Sequence, residues 1–188
     1  MAVAAFIDFQ GTLGGSGVDD ISTFDFFPFS IEAIKKLNTN GILAIGITNQ
    51  SRIARGYLSW EDYEKELNRL KKVLSDNCAY FDAVYCCPHQ RSDNCSCKKP
   101  KTGLIDRAKG EFDIDIKSSY VIGDMGMNDM VLAQNIGAKA ILVLTGVGKG
   151  SMNEYRDTWK DIEPYFIADN VIEAVKFILS DICDNKCL

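Results

Sequence analysis

Four strand-like runs in this chain end on groups able to do chemistry. "VAAFID" (3–8) ends on Asp8, "ILAIGIT" (42–48) on Thr48, "FDAVYCC" (81–87) on Cys87 and "SYVIGD" (119–124) on Asp124. A lone strand-end Asp is most often a turn or cap residue; several such groups in one chain ask for another explanation. If their strands are neighbours, Asp8 and Asp124 would meet and, with waters, hold Mg2+, a hard cation that prefers oxygen. The Thr48 hydroxyl and the Asn49 amide suit a phosphate, and Lys99 in "CKKPKTG" would add a fixed positive charge.

A second constellation is soft. Cys87, His89, Cys95 and Cys97 form C-x-H…C-x-C, and His89 is the only histidine. Three thiolates and an imidazole make a closed tetrahedral zinc set, which reads as structural because no position is left for water. Cys86 competes as a ligand, but on a strand it should point to the opposite face from Cys87. Of the remaining cysteines, Cys78 is expected in the core or half-buried, since free cysteine packs as a small hydrophobe. Cys183 and Cys187 fall in an expected frayed tail, about 182–188.

The elements that must position these groups alternate. Between the strands lie a helix at 30–41, with Ser30 able to cap it and Gly41 to end it, and an amphipathic helix at 59–74 with a Ser59/Asp62 capping box. Further helices are expected near 102–112 and over 128–136. A strand over 139–146, then a short strand in "PYFIADN" and a helix in "VIEAVKFILSDI", complete the pattern. Strand–helix alternation means an α/β fold, a parallel sheet covered on both faces, with ligands at the carboxyl ends of the strands.

The chain has 188 residues, 46% hydrophobic and 25% charged, and a formal charge of −5. It suits one domain over 1–188 with a sizeable core. It lacks the basic footprint of a nucleic-acid binder. No secretory signal or membrane-length apolar run is visible. The expectation is a cytoplasmic monomer without nucleic-acid or membrane partners.

In kind and order these motifs resemble the haloacid dehalogenase (HAD) superfamily of aspartyl phosphotransferases, subfamily III. "TNQSRIARGYLS" (48–59), "YCCPHQRSDNCSCKKPKTGL" (85–104) and "YVIGDMGMND" (120–129) are similar to the branch containing D-glycero-D-manno-heptose 1,7-bisphosphate phosphatases and histidinol-phosphatases. The likeness spans roughly residues 3 to 148. It implies a Rossmann-like three-layer α/β/α sandwich with a mostly parallel sheet, a zinc-binding loop at 86–98 and no large cap domain. It implies that Asp8 attacks phosphorus, that Thr48 binds the phosphoryl group and that Lys99 steadies both. Asp8, the Gln10 carbonyl and Asp124, with Asp129 close behind, would hold Mg2+. Asn49, Gln50, Ser51, Arg55 and Lys98 would contact the substrate, Arg55 and Lys98 through a second phosphate or the leaving sugar. The implied activity is Mg2+-dependent hydrolysis of a small phosphorylated metabolite, a sugar (bis)phosphate first and histidinol phosphate second.

The departures from the family pattern are specific. Two residues after the nucleophile the relatives carry a second Asp that protonates the leaving oxygen and then activates water. Here it is Gln10, so acid–base help worth ~10²–10⁴-fold is absent. "LGGSG" follows Thr12, Met125 replaces a customary Lys, and Arg52 stands where relatives carry Gly. Three readings stay open: a slow phosphatase whose leaving group needs little protonation, a non-catalytic phospho-ligand module, and an enzyme whose acid has been replaced to trap it.

Overall fold

The computed structural model describes residues 1–16 and 21–186. Six strands form one parallel sheet: β1 (Ala4–Ile7), β2 (Leu43–Asn49), β3 (Ala83–Cys87), β4 (Tyr120–Gly123), β5 (Lys139–Val143) and β6 (Phe166–Ala168). Their spatial order is β3-β2-β1-β4-β5-β6. Chain direction across the sheet reverses between β1 and β4, the switch point at which a parallel sheet leaves a crevice at its carboxyl edge. Ile7 pairs with both Gly46 and Ile122, so Asp8 and Asp124 emerge side by side there.

Helices α1 (Ser30–Thr39), α2 (Ser51–Ala54), α3 (Trp60–Asp76), α4 (Gly103–Glu111), α5 (Val131–Ile136) and α6 (Gly148–Met152) lie between the strands, and α7 (Val171–Lys186) follows β6. Alternation along the strands divides the core into two layers. Ala5, Ile7, Ile122 and Val143 face Ile34 and Leu37 of α1, Leu70 and Leu74 of α3, and Val175 and Ile178 of α7. Ala4, Phe6, Ile45, Val121 and Leu142 face Leu104, Ile105 and Ala108 of α4, Leu132 and Ala133 of α5, and Trp159. Strands buried on both faces explain why they read as continuous apolar runs. The result is the three-layer α/β/α arrangement expected. About thirty-five residues join β1 to β2 and about fifty join β2 to Lys99, and among the described residues they hold these elements, two short 3-10 turns and the cysteine loop.

Several local expectations change. Ser59 caps α3 by accepting from the Asp62 amide at 2.9 Å, as read. Ser30 does not cap α1: it is the first helical residue, Phe29 is the N-cap, and the buried Ser30 Oγ has no hydrogen-bond partner. Gly41 ends α1 with φ +68°, its amide bonding Asn38 O at 3.2 Å. Cys78 is exposed, not half-buried. It takes φ 57° just past α3, and that turn sends Ala79 inward instead. The helix read over 128–136 is a π-turn (Gly126–Met130) leading into α5. The frayed tail is shorter than read: α7 runs to Lys186, so Cys183 sits exposed on a helix, and Cys187 lies outside the described residues. No helix among the described residues is long and apolar enough to cross a membrane.

Candidate active site

At the switch point the Lys99 ammonium lies between two acids, 2.6 Å from Asp8 Oδ1 and 2.7 Å from Asp129 Oδ1. All three come from different connections: Asp8 follows β1, Lys99 follows the cysteine loop, and Asp129 lies in the π-turn after β4. Lys99 is held by its own backbone. Its amide donates to Asn49 Oδ1 at 3.0 Å, and Asn49 Nδ2 donates to its carbonyl at 3.3 Å. The Asn49 side chain therefore spans from the end of β2 to the lysine and fixes where that charge points.

Asp124 completes an acidic triad. Ligand oxygens of Asp8, Asp124 and Asp129 lie within 4.8 Å of one another. Asp124 accepts from the Val147 amide at 2.8 Å and from Thr12 Oγ1 at 3.5 Å. Two glycines make room. Gly11 has φ +82°, and a Cβ there would stand 2.1 Å from Asp124 Oδ2. A Cβ on Gly123 would stand 2.2 Å from Asp129 Cγ. That is the physical content of the "GD" pair and of the glycine after Gln10.

Burial raises the Asp8 carboxyl to about 6, against the opposing pull of Lys99 and with the Asp129 charge adding to the rise. Asp124 rises to about 8, first through burial and then through the charges of Asp8 and Asp129. Lys99 is pushed upward although burial opposes it, because Asp129 and Asp8 hold its proton. One lysine among three acids leaves negative charge in excess. Lys99 takes one oxygen each of Asp8 and Asp129, and the other Asp8 oxygen and Asp124 remain to face a divalent cation. Hard oxygen donors beside unrelieved negative charge fit Mg2+.

Thr48 and Gln50 form a buried frame around Gln10. Gln50 Nε2 donates to Thr48 Oγ1 at 2.9 Å, and Gln10 Oε1 accepts from Thr48 Oγ1 at 3.3 Å and from Gln50 Nε2 at 3.2 Å. Gln50 was expected on substrate; it is only 2% exposed and its side chain is spent on this frame. Ser51 and Lys98 do meet: the Lys98 ammonium donates to Ser51 Oγ and, at 3.3 Å, to the His89 carbonyl. Arg55, also read as a substrate contact, is exposed on the α2–α3 connection and does not line the cleft. Arg52 lies with its guanidinium 5.6 Å from the centre of the Tyr57 ring.

The cysteine loop gathers as read. Cys87 Sγ is 3.7 Å from His89 Nδ1, 3.7 Å from Cys95 Sγ and 3.1 Å from Cys97 Sγ, and His89 Nδ1 is 3.3 Å from Cys97 Sγ. Ligands ~2.0–2.3 Å from one tetrahedral ion are separated by similar distances. The cluster can hold a metal. Cys86 packs in the other core layer, with Ala5 and Leu70, so it is no part of the set.

A cleft of ≈ 90 Å³ lies over the loop that follows β1, lined by Asp8, Gln10, Lys99, Asp124 and neighbours. Through Asn49, Lys99, Met125 and Asn128 it opens into a groove of ≈ 380 Å³. Arg91, Lys98, Lys99 and Lys101 line that groove, and among the described residues no carboxylate does. Arg91 and Lys101 were not singled out from the sequence; their signal was the density of cations within and just after the cysteine loop.

A strand-end Asp salt-bridged to a buried lysine beside an acidic triad, on a 3-2-1-4-5-6 parallel sheet, defines an HAD-type hydrolase. The HAD-hydrolase-like family model matches residues 96–174. The D-glycero-beta-D-manno-heptose-1,7-bisphosphate 7-phosphatase of Pasteurella multocida is 36% identical over 155 residues, 78% of this chain and 84% of that protein. The corresponding Yersinia pestis phosphatase is 34% identical over 167 residues, 83% of this chain and 88% of that protein. The crystal structure of the D,D-heptose 1,7-bisphosphate phosphatase from B. bronchiseptica, complexed with magnesium and phosphate, has the same fold. Its TM-score is 0.85 at 23% identity, covering 95% of this chain and 99% of that one. The chain belongs to the heptose-1,7-bisphosphate phosphatase family of HAD-like hydrolases.

Proposed function

We propose that this protein is a Mg2+-dependent phosphohydrolase that acts on a sugar bisphosphate through an aspartyl-phosphate on Asp8. The observation that carries the substrate class is the groove: among the described residues four cations and no carboxylate line it, in a chain of net charge −5, and it opens onto the cleft at Asp8. Such a site favours a ligand with negative charge at two separated points. One phosphate would lie in the cleft at Asp8, Asn49 and Lys99, and the other in the groove near Arg91, Lys98 and Lys101; Thr48, fully buried and donating to Gln10, would act on that phosphate only through Gln10.

In phosphoryl transfer, positioning and charge stabilisation do most of the work. Asp8 supplies the attacking oxygen. Lys99 donates to that carboxylate and keeps it ionised and oriented; Asn49 keeps Lys99 in place. Mg2+, held by Asp8, Asp124 and the Gln10 carbonyl, would offset charge on the phosphoryl oxygens when bound. The thiolates of Cys87, Cys95 and Cys97 with His89 would hold Zn2+ as a structural ion, fixing the loop that carries Gln90, Arg91 and Asn94 along the groove.

The test is phosphate release with Mg2+ from heptose 1,7-bisphosphate, other sugar bisphosphates, sugar monophosphates and histidinol phosphate. Bisphosphates should have the highest kcat/KM. Preference for histidinol phosphate would overturn the substrate class. Tight bisphosphate binding without turnover would favour the non-catalytic module.

A further inference from the structure

The frame around Gln10 determines what that residue can do. An amide oxygen has two lone-pair sites, and here Thr48 Oγ1 and Gln50 Nε2 point at it from 3.3 and 3.2 Å. The donors are themselves buried, Thr48 at 0% and Gln50 at 2% exposure. Gln10 lines the cleft, and the capacity its side chain has left is the two N–H donors of Nε2. It can donate to an oxygen that gains charge; it cannot accept a proton.

Nothing else described in the cleft is left to accept one. The lining side chains with a basic oxygen are Asp8, Asp124 and Asp129. Asp8 is the nucleophile in the proposed reaction. Asp129 accepts from Lys99 at 2.7 Å and from the Met125 amide at 3.2 Å. Asp124 accepts from Val147 and Thr12 and faces the proposed cation position. His89 is committed to the cysteine cluster.

We infer that the two halves of the reaction are unequal, and that phosphoryl-Asp8 accumulates because its hydrolysis lacks a general base; this rests on the phosphohydrolase reading above. In the first half an Asp8 oxygen bonds to phosphorus and the bond to the leaving oxygen breaks with its electron pair. Gln10 Nε2 donates to that oxygen, and solvent supplies the proton where one is needed. In the second half a water oxygen bonds to phosphorus, the bond to Asp8 breaks, and Asp8 returns as a carboxylate. The water's proton must then leave with phosphate or solvent unaided. Gln10 therefore serves departure with a hydrogen bond and leaves water attack without help. Thr48 and Gln50 are the positioning residues that set its orientation.

The experiment mixes the protein with Mg2+ and acetyl phosphate, whose acetate leaves without a proton, and quenches in acid at successive times. Intact mass and peptide mapping then report the adduct. The expected result is one phosphoryl group on Asp8 in most chains, a burst of about one acetate per chain, and slow phosphate release afterwards. In Gln10→Asp the adduct should disappear from the steady state while phosphate release rises ~10²–10⁴-fold. Asp8→Asn controls for adventitious acylation and phosphorylation. Steady release from the wild-type protein without burst or adduct overturns the inference and leaves the phosphohydrolase reading standing. So does a Gln10→Asp variant with unchanged adduct and rate. If neither protein takes phosphate from acetyl phosphate or any sugar phosphate, both readings fall.

Discussion

Lys99 Nζ donates to Asp8 Oδ1 across 2.6 Å, joining residues 91 positions apart. The contact brings the carboxyl edge of β1 to the end of the cysteine loop, so the loop after β1 and the cationic groove share one buried charge. Lys99 is 4% exposed, and its second acid, Asp129, is 1% exposed.

Removing that charge should be costly. In Lys99→Met, Asp8 and Asp129 lose their common counter-ion inside the protein. Breaking a buried pair in this way typically costs about 3–5 kcal/mol. Urea denaturation should show a loss of that order, with recovery at low pH where the acids protonate. Phosphate release should fall to background even where the variant is folded.

The acids also predict a pH signature. Asp8 and Asp124 in the folded protein have pKa values of about 6 and about 8, above the ordinary 3.8. The native state thus binds more protons than the unfolded chain between these values. Stability of the metal-free protein should fall as pH rises from about 4 through about 8. Mg2+ competes with those protons, so its stabilising effect should be larger at pH 8 than at pH 5. Thermal melts with and without Mg2+ at the two pH values check this; equal shifts would place the cation elsewhere.

The cysteine cluster makes a paired prediction. Purified protein should contain about one zinc per chain by elemental analysis. Cys97→Ser should lose metal and melt at lower temperature. Cys86→Ser, one residue from a ligand but in the opposite core layer, should keep its zinc.

The groove predicts a split in kinetic parameters. Arg91→Ala and Lys101→Ala remove cations that line it away from Asp8. KM for a sugar bisphosphate should rise, while kcat/KM for a monophosphate changes little. Among monophosphates, kcat/KM should be higher for an anomeric phosphate than for one on a primary alcohol, because its leaving oxygen demands less of the proton that Gln10 cannot supply, while kcat, set by hydrolysis of phosphoryl-Asp8, should be similar.

Much of this site could be read in the chain because its anchors are strand ends. A run buried on both sheet faces is apolar throughout, so its polar terminus stands out, as at Asp8, Thr48 and Asp124. The cysteine loop was legible for a different reason: four ligands within residues 87–97 need little tertiary information to meet. What escaped depended on approach between distant segments. Gln50 looked like a substrate contact because it follows Thr48 and Asn49, yet it turns inward to Gln10, 40 positions away. Asp129 was expected beside the cation, and its partner is Lys99. The π-turn that delivers it has no apolar periodicity to announce it. Cys78 was placed by composition alone, and a left-handed residue at the end of α3 exchanged its position with Ala79.

The central claim is that Asp8 is the nucleophile of a phosphohydrolase, and the direct measurement is phosphate release by the wild-type protein and Asp8→Asn under the same Mg2+ and sugar bisphosphate concentrations. Asn is nearly isosteric, and Lys99 keeps Asp129, so the variant should remain folded by thermal melt. Release by the wild-type protein and none above background by the folded variant is the predicted result. Equal release by both would contradict the account.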